Sequence, residues 1–481
     1  MSSSPVVEIL RNLLVVNKRG SKAVYLQLAE QITTLVQGEI LQAGNPLPGT
    51  RQLAEVLRLH RKTIVAAYEE LVLQAIVTMV PNRGTFVNRD IATRSVKDKK
   101  AAETPFFPVH TTLPVPHNRI LEIESPTSKG NWMLEDGNPD PRLFQPEKIG
   151  VGFSTFLRKN YSGSSTFLQH VLCQYLGDVH HVSVQEDQLL FTQNSTMGIA
   201  LVTQALLRKG DIVVVGDPGN YKVNMAVQQA GALLKTIPVD GDGMDIGMLE
   251  ELCKKQTIKM LYISPQNHYP TTTILSYARR LELLRLACHY GFFILEEETE
   301  NVFDYQRRRL PSLASLDTEG VVVYVNSFEK VLRPDWNIGY VVAARNVLQE
   351  IRKYIAYWGM CHVSFAQGIF GSALQSGSLQ RLIRRNTKVY QDRRNFFCQL
   401  LRVYWSGYVH FEVPKSGLGL WLHFDWDFNL ASFAKRCAKA DIAIPGHLLY
   451  QSRKWTAMRL GFGQWNEEEA ETFILAGRRC F

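Results

Sequence analysis

Apolar residues at Val24, Leu28, Ile32 and Leu35 recur at spacings of four, four and three, the stripe of an amphipathic helix that ends near Gly38. After the loop Gly44-Asn45-Pro46-Leu47-Pro48, Thr50 is placed as the N-cap of a second short helix burying Leu53, Ala54 and Leu57. A third helix starts at Arg61 and buries Ile64, Tyr68 and Leu71, with Arg58 to His60 as the intervening turn. Two short apolar runs, 76–80 and 85–87, flank Pro81-Asn82-Arg83-Gly84 and predict a hairpin. Helix-turn-helix followed by a hairpin is a winged helix.

Beyond residue 129 the pattern changes to strand-length apolar runs alternating with helix-length amphipathic stretches: QLLFT, DIVVVG, KMLYIS, FFILEE, VVVYVNSF and IGYVVAA. Their nearly continuous, β-branched hydrophobicity suits strands buried on both faces of a parallel sheet, so the class is α/β. In such sheets ligands bind beyond the carboxyl ends of the strands. The informative positions are therefore 194–196, 217–221, 266–269, 296–299 and Lys330. A lysine ending a buried strand is a candidate Schiff-base former, because desolvation favours the neutral nucleophilic amine; the alternative is an ion pair with Glu329 or Glu297. Between the two patterns, residues 90–128 are charged, aperiodic and then proline-rich, the composition of a linker. The expected organisation is 1–89, a linker at 90–128, and 129–481.

Charge sharpens this division. Of the net charge of +9, residues 1–100 contribute +6, from 14 Lys and Arg against 8 Asp and Glu. A local positive field suits a polyanion, and phosphate neutralisation supplies most non-specific affinity for nucleic acid. Double-stranded DNA is the expected partner. Arg61, Lys62 and Thr63 fall in the first turn of the third helix, where a recognition helix meets base edges and phosphates; Arg51 opens the second helix, and Arg83 and Gly84 form the wing tip. A composition of 45% hydrophobic and 21% charged residues is that of a folded chain. Seven cysteines, never closer than 35 residues, suggest neither a metal knuckle nor a disulfide framework. With no apolar run of membrane length, the expectation is a cytoplasmic protein. His180 and His181 beside Asp178 lack a third ligand at metal-site spacing, and Arg307-Arg308-Arg309 reads as an exposed loop.

LPGTRQLAEVLRLHRKTIVAAYEELVLQAIVTMVPNRGTFV resembles the GntR-type winged helix, departing at Gly49 and Asn82. The segments EDGNPDPRLFQ, GDPGNYKVNMAVQQAGA, SPQNHYPTTTILS, SFEKVLRPDWNIGYVVA and MRLGFG resemble the fold-type I aminotransferases. Joined to the winged helix, they are similar to the MocR-type subfamily of GntR transcription regulators. The resemblance implies a multidomain regulator: an N-terminal winged helix, a C-terminal aminotransferase-like α/β domain sensing a small amine or amino-acid-like effector, and a homodimer. It implies pyridoxal phosphate held as a Schiff base on Lys330, with Glu297, Thr299, Ser195, Thr196, Tyr221 and Asn267 around it, and a ligand carboxylate on Arg459. The chain departs from the pattern at Glu297 for aspartate, Thr299 and Asn220 for tyrosines, Asn194 for glycine, Glu329 for serine, and Asn337 for arginine. Two alternatives follow from those departures: an aminotransferase with an appended DNA-binding module, or a regulator whose aminotransferase-like domain has lost the cofactor.

Overall fold

The computed structural model describes residues 5–17, 22–38, 40–81, 83–88, 132–149, 164–306, 309–332, 338–359 and 365–481. The expected linker, residues 90–128, lies outside them, as do Asn82, Asn337, Arg307 and Arg308. Two compact units divide the chain, Met1–His117 and Asn118–Phe481.

In the first unit the helices Val24–Gln37, Thr50–Val56 and Arg61–Leu73 enclose Leu28, Ile32, Ile64 and Leu71, each with no exposed surface. Complete burial of such aliphatic side chains stabilises by about 1.5–3 kcal/mol each, so this small core holds the three helices together. The wing strands Val77–Val80 and Gly84–Val87 pair antiparallel, and Gly84 turns the chain at φ +113°, a conformation that glycine adopts without strain. Pro46–Leu47, expected in a loop, is instead a third strand paired with Gly84–Val87. A further helix, Pro5–Leu13, was not among the expected elements; its Leu10 joins the same core. Thr50 is not the N-cap. That position is Gly49, which makes no side-chain cap bond, while the Thr50 hydroxyl accepts a hydrogen bond from Arg61 Nε at 3.4 Å. Leu57 closes the helix as its C-cap and is only half-buried.

The second unit is built on an eight-stranded sheet in the order Leu189–Thr192, Gly339–Val342, Val322–Ser327, Phe293–Glu297, Met260–Ile263, Ile212–Asp217, Leu233–Asp240, Gly243–Met244. All six expected runs are strands. The sheet is not wholly parallel: Gly339–Val342 runs antiparallel to both neighbours, and Gly243–Met244 is antiparallel at the edge. Only eleven residues separate Val322–Ser327 from Gly339–Val342, fewer than a parallel crossover needs. Neighbouring side chains face opposite sides. Val213 packs with Leu201 and Val202 of the helix Ser195–Leu206, whereas Val214 packs with Leu249 and Leu283 on the other face. This double burial explains the continuous hydrophobicity of the strands. A smaller antiparallel sheet, Gly419–His423, Thr456–Gly461 and Leu449–Gln451, carries Arg459 on its central strand.

Candidate functional site

In the first unit the positions expected to meet DNA sit at the starts of two helices and at the wing tip. Arg51, Arg61 and Lys62 are exposed and Thr63 is half-buried, at or near the N-terminal ends of their two helices. His60 caps the third helix, its ring accepting from the Lys62 backbone N–H at 3.2 Å. The Arg61–Thr50 bond ties the first turn of that helix to the first turn of the second. Tyr68, buried two turns further along the same helix, donates to the Pro48 carbonyl at 2.8 Å and fixes the loop that leads into the second helix. Arg83 and Gly84 stand exposed at the wing tip. The arrangement presents guanidinium, ammonium and hydroxyl groups from a helix end and a wing, the donor set that contacts phosphates and base edges.

In the second unit a cavity of about 840 Å³ opens where four strands deliver their carboxyl ends, through Asn220 and Tyr221, Ser264, Glu297, and Glu329 and Lys330. Ser195 and Thr196, at the start of the helix Ser195–Leu206, complete that side. Thus Lys330, Glu297, Ser195, Thr196 and Tyr221 share one cavity, whereas Thr299, Asn267 and Arg459 do not line it. Thr299 is buried and its hydroxyl finds no partner among the described residues. Asn267 is also buried, donating to the Ser416 carbonyl at 2.8 Å and the Ser416 hydroxyl at 3.0 Å.

Alternation along the strand Phe293–Glu297 separates its carboxylates. Glu296 points away from the cavity and accepts from the Leu313 and Ala314 backbone N–H groups at 2.8 and 2.7 Å. Glu297 faces the cavity and accepts from the Tyr262 hydroxyl at 2.6 Å. Burial raises its pKa, and nearby Glu329 and Glu300 add to the effect. Glu298, next in the chain, pairs with Arg309 at 2.9 Å, so Arg309 reaches a buried carboxylate instead of belonging wholly to an exposed loop. His180 also approaches Glu298, at 3.8 Å, with its side chain buried at the end of a π-helical turn.

Lys330 pairs with neither Glu329 nor Glu297 but with Glu300, Nζ to Oε1 at 2.9 Å, and it also donates to the carbonyls of Gly137 at 3.0 Å and Asp136 at 3.3 Å. Arg459 has no exposed side-chain surface. It donates through Nε to Asp136 Oδ1 at 2.5 Å, through one terminal nitrogen to Glu300 Oε2 at 2.7 Å, and through the other to the Pro270 carbonyl at 3.1 Å. The Tyr269 ring lies 4.6 Å from the guanidinium carbon, and its hydroxyl donates to Asp136 Oδ2 at 2.7 Å. Gly419 leaves the room this needs: a Cβ there would sit 2.9 Å from the guanidinium. Asp136 and Glu300 were not singled out by the sequence. Asp136 does fall within a segment of family resemblance, but nothing local indicates a partner 323 residues away.

The phosphate end of the implied cofactor site does not suit a dianion. The Asn194 side chain accepts from the Met197 backbone N–H at 2.8 Å, taking one of the helix N-terminal donors that would face a phosphate. The Ser195 hydroxyl lies near Glu297 and lowers that carboxyl's pKa against the effect of burial. Glu329 adds a carboxylate to the cavity, whose described lining holds six carboxylates and two lysines, three of the carboxylates being paired with Arg459, Arg142, Arg393 or Lys330. These residues do not fit pyridoxal phosphate.

Residues 24–87 match the family described as bacterial regulatory proteins, gntR family. The chain is 21% identical over 436 residues to the probable rhizopine catabolism regulatory protein MocR of Rhizobium meliloti, covering 85% of this chain and 83% of that one. It is 22% identical over 465 residues to the HTH-type transcriptional regulator YisV of Bacillus subtilis, covering 93% and 95%. Among solved structures, kynurenine aminotransferase of Pyrococcus horikoshii, in complex with PMP, superposes with a TM-score of 0.67 at 25% identity, covering 74% of this chain and 91% of that one. Fold and matched residues together define a winged helix joined to an aminotransferase-like α/β domain. Over most of its length the chain is similar to regulators of this same domain order, MocR and YisV among them.

Proposed function

We propose that this chain is a DNA-binding transcription regulator whose winged helix is the output and whose aminotransferase-like unit senses a small amine. The observation that carries the reading is the joint exposure of Arg51, Arg61, Lys62 and Arg83 on a helix-turn-helix and wing, in the unit that holds most of the net positive charge. Thr63 and Gly84 add a hydroxyl and a close backbone approach to the same surface. The match to the gntR family and the full-length similarity to HTH-type regulators support it.

The effector cavity favours a cation. Asp136, Glu300 and Asp140 are neutralised by Arg459, Lys330, Arg142 and Arg393, so the excess of carboxylate over lysine comes from Glu135, Glu297 and Glu329 against Lys222, and Arg459, the group that would select a carboxylate, is already bonded to Asp136 and Glu300. An amine without a carboxylate meets the complementary field, and an amino acid meets like charge. Of the readings the sequence offers, this favours a regulator that works without pyridoxal phosphate over an aminotransferase carrying a DNA-binding module.

Fluorescence anisotropy with a genomic operator fragment tests the function. Arg61→Ala and Lys62→Ala should each weaken binding roughly 5- to 100-fold, and the Lys62 change should lower the slope of log affinity against log salt by about one. A short aliphatic diamine should shift the affinity where glutamate does not. Full-strength binding by the double variant would refute the assigned surface, and an equal response to both ligands the assigned ligand charge.

A further inference from the structure

We propose that Asp136, Arg459, Glu300 and Lys330 form a neutral ion quartet that stands in for the cofactor in this domain, with Lys330 as its structural counter-ion. Two cations face two carboxylates. Glu300 bridges both cations through its two oxygens, Oε1 to Lys330 at 2.9 Å and Oε2 to Arg459 at 2.7 Å. Asp136 closes the set on Arg459 at 2.5 Å and offers its own backbone carbonyl to Lys330 at 3.3 Å.

The donor count separates this role from Schiff-base chemistry. An ammonium has three N–H groups and no lone pair. Lys330 Nζ has three oxygen acceptors around it: Glu300 Oε1, the Gly137 carbonyl and the Asp136 carbonyl. Attack on an aldehyde requires the neutral amine, which keeps only two donors and turns a lone pair outward. Deprotonation here would leave an oxygen facing a lone pair and the quartet one positive charge short. Burial disfavours the ammonium, but Glu300, Asp136 and Glu329 more than reverse that and hold its pKa above the ordinary lysine value. Arg459 is held by one hydrogen bond from each of its three nitrogens, to Asp136, Glu300 and the Pro270 carbonyl. A carboxylate arriving at its fork would have to displace Asp136 or Glu300, each part-buried, with the Tyr269 hydroxyl and ring holding the assembly from below.

Buried ion networks have a signature that a cofactor-binding lysine lacks. Removing one partner strands a charge, and removing the opposing charge as well relieves it. In the full-length chain Lys330→Met should lower the melting temperature by roughly 3–10 °C. Lys330→Met/Glu300→Gln should recover at least half of that loss. An unchanged Lys330→Met, or a double variant no more stable than the single, would overturn the proposal. A second measurement needs no variant: wild-type protein incubated with excess pyridoxal phosphate, reduced with borohydride and mapped by peptide mass should carry no adduct at Lys330. Stoichiometric adduct there would overturn it independently. Neither readout involves DNA, so a failure of the regulator reading and a failure of the quartet are separate results.

Discussion

His268 shows how one enclosed side chain writes a pH dependence into the large unit. Its ring is 4% exposed, with Nε2 2.9 Å from the Pro218 carbonyl, which assigns the proton to that nitrogen. Gly216 beneath it has no side chain, and a Cβ there would lie 2.5 Å from the ring. Burial pushes the His268 pKa down to about 4, partly countered by the carbonyl. Unfolded histidine titrates near 6.5, so between these values the unfolded chain binds the extra proton. The stability from keeping this ring neutral is full above pH 6.5 and is lost as pH falls toward 4. Between pH 6.5 and 5 it amounts to about 2 kcal/mol. Urea midpoints of wild type and His268→Gln across that window should show a shallower slope in the variant. Equal slopes would refute the assignment. The same enclosure governs Lys330: nearness in sequence favours Glu329 as its partner, yet Lys330, three residues past the strand Val322–Ser327, turns to Glu300 in the connection that follows the neighbouring strand Phe293–Glu297.

At the scale of elements, the recognition surface depends on how the third helix is held. Tyr68 lies two turns beyond Arg61 on that helix, and its hydroxyl is the buried link to the loop before the second helix. Tyr68→Phe leaves the Pro48 carbonyl without that donor and should cost about 1–2 kcal/mol. Hydrogen exchange on the intact chain is the suitable measurement, because it reads each unit separately. Protection should fall in Thr50–Val56 and Arg61–Leu73 and stay unchanged in the eight-stranded sheet. Loss of protection in the sheet as well would contradict the division into two units. The wing tolerates less. Gly84 at φ +113° would be strained by any branched residue, so the wing tip is fixed by backbone conformation before any side chain contributes.

For the whole molecule, the expected homodimer matches a winged helix that reads paired half-sites, since a twofold protein presents two recognition helices to a palindromic duplex. Sedimentation equilibrium should therefore give twice the 54.7 kDa chain mass. An operator with one half-site scrambled should lose most of its affinity. A monomer at micromolar concentration would remove the basis for paired sites. Among the described residues no helix is long and apolar enough to cross a membrane.

Elements whose signal is local can be read from the order of amino acids alone. The winged helix is legible because a 3.6-residue stripe, a turn and a Gly-tipped hairpin each constrain their own few residues, and the six buried strands are legible because burial on both faces demands unbroken hydrophobicity. The same order also determined that Lys330, Glu297, Ser195 and Tyr221 would meet, because the ends of adjacent strands in such sheets converge. Packing set the rest. The strand Leu233–Asp240 alternates exposed and buried positions and gives a weak signal, and Gly339–Val342 runs antiparallel because its connection is short. The partners of Arg459 and Lys330 come from residues 136 and 300, brought together only by packing. Charge balance is a property of what ends up adjacent, and adjacency across hundreds of residues is not written in any local pattern.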